Sequence, residues 1–207
     1  PTAIEITRNP RKVRQSKAFL DGWVELQDAA SQAVVDRLCE AVPSGRVLDF
    51  CAGGGGKALA LAAAGLEVVA YDADAKRMRD IPERAHRAGA TIDIVSEPTG
   101  SFDAVLCDAP CSGSGAWRRQ PEAKWHLTPD GLAELNATQD TILAKASTLV
   151  GENGVLAYVT CSLLAEENTM RIDAFTEQHP NWRVMSKRQY TPLDGADGFF
   201  IALLTRA

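Results

Sequence analysis

The chain has 207 residues, 45% of them hydrophobic and 24% charged, and a net charge of −5. That length suits one domain with a substantial core, and no apolar stretch approaches a membrane span. The acidic balance argues against indiscriminate nucleic-acid binding, although basic residues gather at Arg8, Arg11, Lys12, Arg14 and Lys17, and again at Arg118, Arg119 and Lys124.

Residues 1–21 are polar, basic and weakly periodic, which predicts an arm or short helix ahead of a domain spanning 22–207. A start at Pro1 rather than Met leads us to expect a trimmed domain or mature fragment. Asp28 opens an amphipathic helix to about Glu40, and Pro43-Ser44-Gly45 ends it. Strands are then predicted at 46–50, 67–71, 91–95, 102–107 and 155–159, and helices near 57–64, 74–88, 130–149 and 165–178. Thr128-Pro129-Asp130 is a helix start, with Thr as N-cap and Pro at the first helical position. Gly151-Glu152-Asn153-Gly154 stops that helix before the last parallel strand. Trp182 to Met185 and Gly198 to Leu204 follow as two short strands with no helix between them, an antiparallel addition at the sheet edge. Alternating β and α elements with near-continuous apolar strands predict an α/β, Rossmann-like fold whose mostly parallel sheet is covered on both faces.

Five cysteines, Cys39, Cys51, Cys107, Cys111 and Cys161, form no C-x-x-C pair. An odd number without that spacing speaks against a disulfide scaffold or zinc ribbon and for a reducing compartment, so a cytoplasmic protein is expected. His86, His126 and His179 show no ligand spacing, and no metal is expected. Two cysteines stand apart. Cys111, in Asp108-Ala109-Pro110-Cys111-Ser112-Gly113-Ser114-Gly115, and Cys161, in Thr160-Cys161-Ser162, each follow a predicted buried strand. Both therefore reach the edge of an open α/β sheet where ligands gather. Two thiols and a carboxylate at one edge fit covalent chemistry on an electron-poor ring.

A third segment, Asp49-Phe50-Cys51-Ala52-Gly53-Gly54-Gly55-Gly56-Lys57, joins a strand to a helix. Its glycines let backbone amides approach a ligand, and the helix start favours a carboxylate. The G-x-G-x-x-G register of dinucleotide folds is absent, because position 58 is Ala. Asp72, closing the next strand, reads as a ribose acceptor or as a helix cap, a role that Asp74 serves better. Glu97, past the third strand, is a candidate for the adenine amino group or an ordinary surface acid. An adenosyl ligand without phosphates suits S-adenosylmethionine better than a dinucleotide.

With these motifs in order, the chain resembles the RNA cytosine-5 methyltransferases of the RsmB/Nop/Sun type, from about Gly22 to Leu204. The match includes the segment from Gly22 to Gln32, the glycine loop, the Pro-Cys and Thr-Cys motifs, Glu167-Asn168 and Asp197-Gly198-Phe199-Phe200. The resemblance implies that Cys161 is the nucleophile, that Asp108 supports the base, and that Cys111 assists product release. Lys57 would sit beside the reacting ring and the cofactor. It further implies S-adenosylmethionine on Cys51, Ala52, Gly53, Gly54, Gly55, Gly56, Lys57 and Asp72, with Glu97 and Asp108 completing the expected set. Gly54 stands where the family usually has Pro, Ala58 where it often has Thr, and Glu97 where it usually has Asp.

The chemistry has a reason for each group. Thiolate attack on carbon 6 of cytosine makes carbon 5 enamine-like. Cysteine suits the step because its thiolate is nucleophilic and leaves well. A carboxylic acid held neutral, here Asp108, would stabilise charge at N3. Cys111 or a water it orients would then help remove the carbon 5 proton, with Lys57 a weaker candidate. Arg118, Arg119 and Lys124 are expected to hold flanking RNA phosphates, while Trp117 and Trp125 either stack on a base or pack in the core. His126 reads as an ordinary residue. The expected protein is a monomeric ribosomal RNA methyltransferase acting on an accessible cytosine, with its RNA-binding region lying outside this chain. A transfer RNA enzyme and an inactive RNA-assembly module are the alternatives.

Overall fold

The computed structural model describes residues 4–207. After a 3-10 turn at Pro10–Gln15 and a short helix α1 (Lys17–Leu20), helix α2 (Ala29–Ala41) begins on an Asp28 side chain that accepts from the Ala30 amide. Strands β1 (Arg46–Asp49), β2 (Glu67–Ala70), β3 (Ile92–Ile94), β4 (Phe102–Asp108) and β5 (Val150–Thr160) alternate with α3 (Gly56–Ala63), α4 (Ile81–Ala88), α5 (Ala123–His126) and α6 (Pro129–Ser147). Helix α7 (Thr169–Gln178) leads to β6 (Trp182–Tyr190) and β7 (Phe199–Arg206).

The sheet order is β3-β2-β1-β4-β5-β7-β6. The first five strands pair in parallel, and β7 runs antiparallel between β5 and β6. Successive strand residues serve opposite faces. Val47, Ala104 and Ala157 pack under α2 and α3, whereas Leu48, Val105 and Leu156 pack against α6 and α7. This alternation is why the strands read as continuous apolar runs.

Five elements differ from the sequence expectation. The helix expected at 74–88 divides into a 3-10 turn, Ala75–Met78, and α4, because Pro82 in the first helical turn can start a helix but cannot extend one from upstream. The helix expected at 165–178 likewise divides, at Asn168, whose side chain turns into a buried polar network. Strand β5 starts earlier than expected. Residues 151–154 form an extended bulge between Phe102↔Val150 and Ala104↔Val155, where a Cβ on Gly154 would lie 2.8 Å from the Phe102 carbonyl oxygen. Strands β6 and β7 both run longer than the two short pieces expected.

Candidate active site

Parallel pairing aligns the ends of β1, β4 and β5, with Asp49 opposite Leu106 and Asp108 opposite Val159. The two cysteine loops leave from that common edge. They bring Cys111 and Cys161, fifty residues apart, to an Sγ–Sγ distance of 3.4 Å. Gly115 makes the approach possible: its amide donates to the Cys161 carbonyl and its carbonyl accepts from the Gly198 amide. A Cβ on Gly115 would lie 2.0 Å from the Gly198 oxygen, so only glycine fits.

The surroundings of the two thiols differ. Lys57, buried at the start of α3, donates to Asp108 at 2.6 Å and lies 5.1 Å from the Phe199 ring centre. Burial opposes its charge, but the Asp108 carboxylate prevails and holds Lys57 above the ordinary ammonium value. The hydrogen bond with Cys111 and the Lys57 ammonium draw Cys161 below the ordinary thiol value, against burial and Asp108. The same hydrogen bond, together with burial and the nearby Glu167 carboxylate, pushes Cys111 up. The pair is thus polarised towards a Cys161 thiolate and a protonated Cys111.

Glu167 and Asn168 support both loops. Glu167, fully buried, accepts from the Ser112 amide at 2.8 Å, from Ser112 Oγ and Ser162 Oγ, and from Gln139 Nε2 at 3.1 Å. Asn168 accepts from Thr160 Oγ1 at 2.6 Å and donates to the Ser162 carbonyl at 2.9 Å. The resemblance included these two residues, but spacing alone gave no role for them.

Beside the thiols lies a cleft of about 280 Å³ lined by the glycine loop, Asp49, Lys57 and Asp108, and also by Gln27, Ser31, Arg77 and Arg84. Gly53 and Gly55 have φ of +49° and +79°, which turn the loop tightly into α3. Asp49 is buried at the end of β1, and neither carboxylate oxygen has a partner among the described residues. Burial, and then the Asp108 charge, push it up to about 7. An orphaned carboxylate beside a glycine turn fits a ligand that brings both an ammonium group and a carboxylate, as S-adenosylmethionine does. Cys51 lines the same cleft, its thiol pushed up by burial.

Other expected site residues are placed differently. Asp72 is buried and already accepts from the Gly53 amide at 2.9 Å and the Asp74 amide at 3.0 Å, and it pairs with Arg77 at 3.2 Å. Glu97 is exposed in the bend after β3, outside the cleft lining. Asp108 was expected as a carboxylic acid held neutral by its surroundings, and it is ion-paired with Lys57. Arg118 and Arg119 were expected to hold flanking RNA phosphates. Both pair with the fully buried Asp197 carboxylate, Arg119 through two nitrogens, and both side chains remain more than half exposed. Lys124 is exposed, 4.4 Å above the Trp125 ring, and Trp125 is itself 78% exposed. Trp117 is half-buried.

A parallel sheet with an antiparallel β7, and a glycine turn opening a cleft at its edge, define a class I S-adenosylmethionine-dependent methyltransferase fold. Within that class the chain belongs to the 16S rRNA methyltransferase RsmB/F family, whose model matches residues 38–205. The ribosomal RNA small subunit methyltransferase B of Thermus thermophilus is 37% identical over 82% of this chain and 47% of its own length. That of Serratia proteamaculans is 34% identical over 95% and 50%. The chain spans about half the length of the curated relatives it matches. The crystal structure of PH0851 superposes with a TM-score of 0.89 at 29% identity, covering 96% of this chain and 50% of that one. NSun6 from Pyrococcus horikoshii shares the fold, with a TM-score of 0.82 at 24% identity over 94% of this chain and 56% of that one.

Proposed function

We propose that this chain transfers a methyl group to carbon 5 of a cytosine in ribosomal RNA through a covalent adduct on Cys161. The observation that carries this reading is the pair of thiols, 3.4 Å apart, beside the Lys57–Asp108 pair and the glycine-loop cleft. The names of the small-subunit methyltransferases to which it is similar support ribosomal RNA as the substrate.

S-adenosylmethionine, when bound, supplies an electrophilic methyl group. Asp49 would hold its ammonium group, the loop from Cys51 to Gly56 would receive its methionine part, and Asp72 would take its ribose. The Cys161 thiolate forms a bond to carbon 6 of the cytosine, and the Lys57–Asp108 pair stabilises the charge that develops at N3. Carbon 5 thereby gains the electron density to accept the methyl group. A water oriented by the Cys111 thiol takes the carbon 5 proton; those electrons restore the ring double bond and expel Cys161 as thiolate. The target base must be unpaired or flipped to reach both thiols.

The two thiols make separable predictions. With small-subunit ribosomal RNA and S-adenosylmethionine, Cys161→Ala should form no denaturant-resistant RNA–protein adduct and lose methylation. Cys111→Ala should attack and stall before elimination, so the adduct accumulates on a denaturing gel. Adduct in Cys161→Ala and none in Cys111→Ala would reverse the roles. Adduct in neither, with methylation intact in both, would remove the covalent route.

A further inference from the structure

We propose that Glu167 is a positioning residue whose buried carboxylate straps the two cysteine loops together and so holds the thiols in contact. The inference rests on the proposed function only in taking Cys111 and Cys161 as the working pair.

The carboxylate reaches both loops one residue beyond each thiol. Oε1 accepts from the Ser112 amide at 2.8 Å and from Gln139 Nε2 at 3.1 Å, and Oε2 accepts from Ser112 Oγ at 2.5 Å and from Ser162 Oγ. Gln139 also donates to the Pro110 carbonyl at 3.0 Å, so the Pro-Cys loop is held on both sides of Cys111. Ser114 Oγ lies 2.9 Å from Ser162 Oγ and accepts from the Leu163 amide at 2.8 Å, a second link between the same loops. Tyr158 Oη donates to the Glu167 carbonyl at 2.7 Å and fixes the backbone that presents the strap.

Glu167 forms no ion pair among the described residues, so four hydrogen-bond donors compensate its charge. A tie between loops that served stability alone would not need a buried charge, since apolar contacts join elements without desolvating an ion. A carboxylate does what apolar contacts cannot. It fixes distances to both serines at once, and its charge disfavours a thiolate on the adjacent Cys111 while Lys57 favours one on Cys161.

Phenylarsine oxide reads the thiol spacing directly. Its arsenic forms two As–S bonds, one to each cysteine, and its oxygen leaves as water with the two thiol protons. The full 207-residue chain should bind one arsenical at Cys111 and Cys161, resistant to monothiol and lost in Cys161→Ser. Glu167→Ala should weaken that binding by about tenfold or more, the loss expected for a charged buried hydrogen-bond centre. Glu167→Gln should restore most of it: its oxygen can still accept from Ser112 and Gln139, and both serine hydroxyls can rotate to accept from its amide. If Glu167→Ala does not fold, Ser162→Ala, which cuts one arm of the strap, should still weaken arsenical binding. Undiminished binding in the folded variant, or a loss in Glu167→Gln as deep as in Glu167→Ala, would overturn the proposal. The assay needs neither RNA nor cofactor, so its failure is distinguishable from a failure of the methylation experiment.

Discussion

Asp49 combines complete burial, two unsatisfied oxygens and a like-charged neighbour in Asp108, and these raise it from 3.8 to about 7. An acid whose folded value exceeds its unfolded one stabilises the fold at low pH. Between about 4 and about 7 the native state keeps a proton that the unfolded chain has lost, so stability falls as pH rises through that window. Each unit of difference corresponds to about 1.4 kcal/mol. Urea unfolding at pH 5 and pH 8 should therefore show a larger loss in the parent than in Asp49→Asn, which has no proton to release. Equal losses would mean that Asp49 is ionised in the folded protein. The sequence placed Asp49 at the head of the cofactor loop, but not its role. Whether a strand-end carboxylate finds partners depends on neighbouring strands, which spacing along one segment does not reveal. The two thiols were legible for the opposite reason, since a cysteine just past an apolar strand must lie at the sheet edge.

The link between the Pro-Cys segment and the loop before β7 shows what element-level reading left out. Arg118 and Arg119 follow the Pro-Cys motif and look like phosphate ligands, but Asp197, nearly eighty residues on, claims both. The pairing accompanies the Gly115–Gly198 backbone contact and belongs to the same latch between segments. Arg118→Ala with Arg119→Ala would leave the Asp197 carboxylate buried without a counter-charge, a loss of about 3 kcal/mol. Adding Asp197→Asn should recover part of that stability in thermal or denaturant unfolding. No stability change in the double variant would show that solvent already compensates Asp197. Helix breaks at Pro82 and Asn168 were hidden for different reasons. Pro82 was visible but lay inside a strong helical pattern, whereas Asn168 interrupts its helix through long-range bonds to Thr160 and Gln189. Strands β1, β2, β4 and β5 were legible because burial on both faces writes itself as near-continuous apolar runs, whereas β3, at the sheet edge, carries Asp93 between two isoleucines.

At the scale of the whole molecule, charge bears on how this chain would meet the RNA proposed as its substrate. It carries a net charge of −5, and two of the cations nearest the Pro-Cys loop share their charge with Asp197. Lys124 on α5 remains exposed without an acidic partner among the described residues, next to an exposed Trp125 ring that can take a stacked base. The basic residues Arg8, Arg11, Lys12 and Arg14 form a second positive region in the N-terminal segment. Binding to unstructured RNA should therefore be weak and depend on few phosphates. For single strands the logarithm of affinity falls against the logarithm of salt with a slope of about −0.7 per contact. Lys124→Glu should make that slope shallower by about one contact, and Trp125→Ala should weaken binding with the slope unchanged, because stacking releases no counterions. Filter binding across a salt series separates the two terms. A slope unaltered by Lys124→Glu would move the phosphate contacts to the N-terminal cluster, and charge reversal at Arg11 and Arg14 would then have to reduce it.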